Sequence, residues 1–169
     1  GCAILNDSKY GISASGNTMA LTLLKSSTFP DESADMGLQE FTYAFYCWNG
    51  SFMSGRTVQE AYELNVPVTA AAGQCSRESW FVLDTEHVVI EAVKKAENGR
   101  GTVLRLYECM GASVSCTLQT RLPAEKAVLS DMLEREEQEL PLEEDGRRVR
   151  LAFTPFEIKT VILSLIPDI

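Results

Sequence analysis

Residues 112–119 alternate without a break. Ala112, Val114, Cys116 and Leu118 fall in one phase, and Ser113, Ser115, Thr117 and Gln119 in the other. Successive side chains of a strand point to opposite faces, so this is the signature of a strand with one face in a core and one in water. Similar runs surround it. Residues 79–84, 87–96, 102–108 and 111–120 read as successive strands, separated by Thr85-Glu86, Asn98-Gly99-Arg100-Gly101 and Met110-Gly111. Residues 126–133 read as another, and Val149, Leu151 and Phe153 alternate after the turn at Asp145-Gly146. In the last run Phe156 and Ile158 share one phase, and Val161, Leu163 and Leu165 the other. That shift predicts a bulge or burial on both faces. Short strands with regular turn signals predict an antiparallel β-sandwich over residues 79–169. The acidic run 134–145 reads as a solvated strand edge or loop.

The first half is organised differently. Residues 1–6 read as a strand ending at Asn6-Asp7, a turn-forming pair. A hairpin is predicted around Gly16-Asn17, a loop over 26–37, and an aromatic strand over 38–48. Residues 56–65 carry the helical spacing, with Val58, Ala61, Tyr62 and Asn65 on one face and Pro67 beyond them. The small and polar residues 69–78 read as a linker. The chain starts without Met, directly in an apolar run, which reads as the interior of a strand in a longer protein.

Charge and cysteine usage narrow the function. A net charge of −9 opposes both nucleic acid and anionic membrane surfaces as partners. No apolar run reaches transmembrane length, and no secretory signal pattern is present. The five cysteines, Cys2, Cys47, Cys75, Cys109 and Cys116, are widely spaced and contain no C-x-x-C. They are expected to be reduced and mostly packed, which suggests a cytoplasmic location. With one histidine, His87, a zinc site would need mostly carboxylates or scattered thiols, and a structural role is expected for His87. Neither a G-x-S-x-G elbow nor a glycine-rich phosphate loop is present. Asp7, Asp31, Asp35 and Glu40 could converge as paired carboxylates, the requirement for glycoside hydrolysis, or could all be solvated. The densest polar knot is Asn6, Asp7, Ser8, Lys9, Tyr10 and Gly11. It reads either as a hairpin turn or as a loop that reaches sugar hydroxyls or a neighbouring domain.

These same residues carry a family resemblance. Residues 3–11, AILNDSKYG, resemble the "LND-x-KYG" segment of glycoside hydrolase family 38 α-mannosidases. Residues 16–25, GNTMALTLLK, are similar to the family's "G-N-x-x-x-L-x-L-L-R". The similarity continues through Pro30-Asp31, residues 34–37, residues 40–44 and Leu64-Asn65-Val66-Pro67. In the second half it covers residues 88–90, 92–97, 104–108 and 153–160, which look like the family's terminal sandwich.

The resemblance implies an all-β fold. Residues 1–68 would complete a mutarotase-like β-supersandwich, 69–78 would link, and 79–169 would form the terminal β-sandwich. It implies a parent that is a zinc-dependent, retaining exo-α-mannosidase acting on terminal mannosides. Zinc and the catalytic residues would lie in an N-terminal domain of the same polypeptide, which would be this region's partner. No catalytic or metal-binding residue is expected in this chain. Asn6, Asp7, Lys9, Tyr10 and Gly11 are the candidate substrate-edge or interdomain loop. Related sequences often read "HEFTYAL-x-PH-x-G"; here Gln39, Cys47 and Trp48 stand at departed positions, so altered specificity or activity of the parent is expected. The alternative is a free-standing module, binding carbohydrate through Tyr10, Tyr46, Trp48 or Trp80, or mediating subunit contact. Self-association is a further expectation, because a partial sandwich leaves edges and an apolar face uncovered.

Overall fold

A computed structural model describes residues 1–74 and 78–166. The chain divides into two compact units, Gly1–Ala72 and Gly73–Ile169. The division falls within the stretch read above as a linker, of which residues 75–77 lie outside the described residues.

The first unit holds β1 (Cys2–Asn6), β2 (Ile12–Ser15), β3 (Thr18–Leu21), β4 (Tyr43–Cys47) and α1 (Thr57–Asn65), with a 3₁₀ turn at Phe52–Ser54. β1 and β4 pair antiparallel from Cys2↔Cys47 to Asn6↔Tyr43. β2 and β3 form the hairpin, turned by Gly16 at φ +60°. The aromatic strand is shorter than expected. Among the described residues no strand pairs with 38–42, and the Thr42 N–H is taken by the Asp7 carboxylate at 2.8 Å. The helix ends as expected, the Val66 N–H closing on the Tyr62 carbonyl before Pro67.

Trp48 organises the end of this unit. Its Nε1–H donates to the Ser51 carbonyl at 2.8 Å, and its ring lies 5.8 Å from Tyr46 and 6.4 Å from Phe52. A Cβ on Gly55 would sit 2.7 Å from the indole. Overpacking of this kind costs about 1–3 kcal/mol. Gly55→Ala is therefore expected to loosen α1, read as faster amide exchange across residues 57–65.

The second unit is a sandwich of two antiparallel sheets. Its strands are β5 (Phe81–Leu83), β6 (Val88–Lys95), β7 (Thr102–Glu108), β8 (Val114–Thr120), β9 (Ala124–Ser130), β10 (Glu136–Leu140), β11 (Leu142–Glu143), β12 (Arg148–Phe153) and β13 (Ile158–Leu165). The five-stranded sheet runs β10-β9-β13-β7-β6, and the four-stranded sheet runs β11-β12-β8-β5. Leu104, Leu106, Cys116, Leu118, Val149, Leu151, Phe153, Val161 and Leu163 fill the space between them. The alternation is realised on β8 from Val114 onward, three residues after the start of the strand expected over 111–120, with Cys116 and Leu118 facing inward.

The phase shift in the last strand has a definite cause. β13 lies between β9 and β7 and is buried on both faces from Thr160 to Leu163. Val161 and Leu163 enter the main core, while Ile162 joins Ala96, Val103 and Val128 in a second cluster. The segment Asp131–Arg135 is tied back to this sheet. Arg105 donates to the Met132 carbonyl at 3.0 Å, and Glu134 accepts from the Glu97 N–H at 2.7 Å and pairs with Lys94 at 2.8 Å. The strand expected over 126–133 runs from Ala124 and stops at Ser130. There the Asp131 carboxylate takes the Leu133 and Arg135 N–H groups, which turns the chain. The acidic run supplies β10, an edge strand, where charge discourages edge-to-edge pairing.

Candidate functional site

The Asn6–Gly11 loop leaves the end of β1. Its polar side chains are largely engaged with backbone. Asn6 Oδ1 accepts the Lys9 N–H at 2.7 Å, and the Asn6 carbonyl accepts from Asn65 Nδ2 at 3.2 Å. Asp7 accepts the Ser8 hydroxyl at 2.8 Å and the Thr42 N–H at 2.8 Å. The Ser8 hydroxyl, seconded by Thr42, holds the Asp7 carboxyl below its ordinary range. Gly11 admits a close approach: its carbonyl accepts the Thr22 N–H at 2.7 Å, and a Cβ there would meet Thr22 at 3.0 Å. Lys9 lies 4.5 Å above the Phe41 ring. Tyr10 projects into solvent, 90% exposed. The loop thus combines a rigid, backbone-bonded base with one presented aromatic.

Asp31 and Asp35, also singled out by sequence, bond elsewhere. Asp31 is bonded to the N–H and hydroxyl of Ser33, which lower its pKa. Asp35 caps the Ser26 N–H at 2.9 Å. Both carboxylates are engaged with N–H groups of the 26–37 loop. Among the described residues no three His, Cys, Asp or Glu side chains converge on a point that could hold a metal. Zinc therefore has no fitting donor set on them. His87 immediately precedes β6, with Nδ1 buried and without a hydrogen-bond partner.

The aromatic candidates separate into two groups. Tyr46 and Trp48 stack on each other and are committed to packing. Tyr10 and Trp80 remain presented, Trp80 with Arg121 5.1 Å from its ring. The cysteines separate likewise. Cys109 and Cys116 are buried, whereas Cys2 and Cys47 are exposed, against the expectation that most would be packed. They sit on strand positions of the outward phase, which wide sequence spacing cannot reveal. Cys75 lies outside the described residues.

Two surface features stand out. On the first unit, Ile4, Leu21, Leu23, Tyr43, Ala44 and Phe45 line an apolar groove of about 250 Å³. Phe45 is 68% exposed, and among the described residues of that unit Leu5 is the one buried apolar side chain. On the second unit, the outer face of the four-stranded sheet carries a polar groove of about 450 Å³. Ser115, Thr117, Glu143, Arg148 and Arg150 line it, with Arg150 paired to Glu143 at 3.0 Å. No sequence signal marked this groove, since its residues look like ordinary outward-facing strand positions.

Comparison with known proteins gives a consistent answer. Residues 87–161 match the family 38 glycosyl hydrolase C-terminal β-sandwich domain. The chain is 41% identical to α-mannosidase 2C1 of Mus musculus over 98% of its length, and 41% identical to that of Homo sapiens over 99%. It is 31% identical to α-mannosidase G of Dictyostelium discoideum over 95% of its length. It spans 17% of the mouse and human proteins and 16% of the Dictyostelium one.

Proposed function

Because the chain belongs to glycoside hydrolase family 38, as part of its C-terminal β-region, we propose that it is a non-catalytic portion of an α-mannosidase. The intact protein would hydrolyse terminal α-mannosides in the cytoplasm, by a retaining mechanism with zinc held in its N-terminal domain. Residues 1–68 would complete a larger sandwich with that same polypeptide, and the Asn6–Gly11 loop would lie at the substrate edge or the domain boundary. The observation that carries this reading is the pairing of two facts: near-complete coverage of this chain by α-mannosidases that are about six times longer, and an apolar sheet face left open on the first unit. A unit with so little buried apolar surface gains too little from burial to be complete by itself.

Phe45→Asp tests it. Full burial of a Phe is worth about 1.5–3 kcal/mol. In this chain, sedimentation is expected to show self-association that Phe45→Asp weakens, with the fold unchanged. In the intact mannosidase the same change is expected to lower soluble yield and turnover of an aryl α-mannoside. A chain that stays monomeric beside an unaffected parent would count against the reading, as would mannoside hydrolysis by the chain alone.

A second reading is favoured by the polar groove beside Thr117 and Arg150. Its volume is within the roughly 300–1,000 Å³ of small-molecule sites. Titration with mannobiose, followed by amide shifts on β8 and β12, separates carbohydrate binding from a merely solvated face.

A further inference from the structure

Cys2 and Cys47 are free, exposed and directly opposite each other on β1 and β4. The hydrogen-bond phase of this ladder is established at both ends. At one end the Gly1 nitrogen donates to the Trp48 carbonyl at 2.8 Å, and the Trp48 N–H donates back to the Gly1 carbonyl at 3.0 Å. At the other end the Asp7 N–H donates to the Thr42 carbonyl at 3.2 Å. Gly1 and Trp48 are therefore a hydrogen-bonded pair. Strict alternation makes the adjacent pair, Cys2 and Cys47, a non-hydrogen-bonded one, and the bond at Asp7 agrees with this parity. In such pairs the Cα atoms approach to about 4.5 Å with both side chains on one face, inside the roughly 4.4–6.8 Å range of disulfides.

We propose that Cys2 and Cys47 form a reversible dithiol–disulfide pair whose oxidant is a low-molecular-weight disulfide such as oxidised glutathione. One thiolate attacks a sulfur of the oxidant and expels one glutathione thiolate, leaving a mixed disulfide. The second thiolate then displaces the remaining glutathione. The pair loses two protons and two electrons and gains one S–S bond; the oxidant's S–S bond is reduced to two thiols. The facing register places the second thiol next to the mixed disulfide, which makes the second step local.

The other described cysteines are poor competitors. Burial raises the Cys109 pKa and pushes that of Cys116 up to about 11, so little thiolate forms on either. The consequence is local stiffening. Cys2 and Cys47 share their sheet face with Ile4 and Phe45, the next pair of that face along the ladder, so the pair meets the oxidant in a chain whose face is uncovered. A bridge would staple the two strands beside the apolar groove.

The test uses the 169-residue chain equilibrated in glutathione redox buffers, trapped with an alkylating agent and mapped by mass spectrometry. The expected result is loss of two thiols of five, a mass lower by two hydrogens, and a Cys2–Cys47 linked peptide that dithiothreitol releases. Cys2→Ser should instead carry one glutathione on Cys47, and Cys47→Ser one on Cys2. Both thiols staying reduced in fully oxidised buffer would overturn the proposal. So would a disulfide-linked dimer through either residue, or a bond from either to Cys75.

Discussion

Glu108→Ala is expected to destabilise the sandwich unit by at least about 3 kcal/mol, because it strips three N–H groups of their acceptor at about 1–3 kcal/mol each. Glu108 ends β7 with its side chain wholly buried. Its carboxylate accepts the Met110 N–H at 2.9 Å, the Gly111 N–H at 2.8 Å and the Phe156 N–H at 2.9 Å. One side chain thus pins two turns that are distant in sequence. The Phe156 ring in turn lies over Gly111, where a Cβ would approach it to 2.8 Å. Glu108→Gln keeps the shape and one acceptor oxygen, so a smaller loss is expected. Hydrogen exchange resolved by unit is the measurement, with protection falling across residues 102–120 and 153–165. Equal stability of Glu108→Ala and the parent chain would show that these turns hold without the carboxylate.

The same group sets an acid limit. Burial pushes the Glu108 pKa up, but the N–H groups of Phe156, Met110, Ala112 and Gly111 together outweigh it and lower the pKa. Glu157 is also lowered, by Lys159 and then by the Thr154 N–H. A folded-state pKa below the unfolded value of about 4.3 means that the unfolded chain binds the proton more readily. The stabilisation is therefore complete above that pH and is lost as pH falls through the lower folded-state values. Denaturation midpoints should hold steady near neutrality and drop below about pH 4.3, less steeply in Glu108→Gln.

Leu118→Ala should cost about 3–5 kcal/mol, the upper part of the range for leucines in a closed core. Leu118 is fully buried on β8, opposite Val149 of β12 on one side and Leu83 of β5 on the other. Strands flank it on both sides and a second sheet packs above it, so the site collapses poorly around the missing atoms. Urea unfolding should show a lower midpoint with an unchanged slope. Val82→Ala, on the outward face of β5, should stay within about 0.5 kcal/mol. If the two variants lost similar stability, the assignment of inward and outward faces would be wrong.

The sandwich was largely legible because strand alternation is a local property. Ala112 to Gln119 announced an inward and an outward face before any partner strand was known. Where sequence reading missed, a carboxylate had taken backbone N–H groups that a longer strand would have used. The strand over 38–48 is cut to Tyr43–Cys47, where the Asp7 carboxylate takes the Thr42 N–H. The strand over 126–133 is cut at Ser130 by the Asp131 carboxylate. In the candidate loop, composition suggested six polar or permissive residues available for recognition. The fold commits Asn6 and Asp7 to backbone and leaves Tyr10 presented.

By itself, the sequence determined strand periodicity, the turns, the helix ending at Asn65 and membership of family 38, since each is written in neighbouring residues or in their order. Tertiary structure alone decided that β13 is buried on both faces, that Glu108 joins two turns, and that Cys2 faces Cys47. Each of these depends on which strand lies beside which, and in what register. Pairing across dozens of residues is a choice among competing contacts, and no local pattern encodes its outcome.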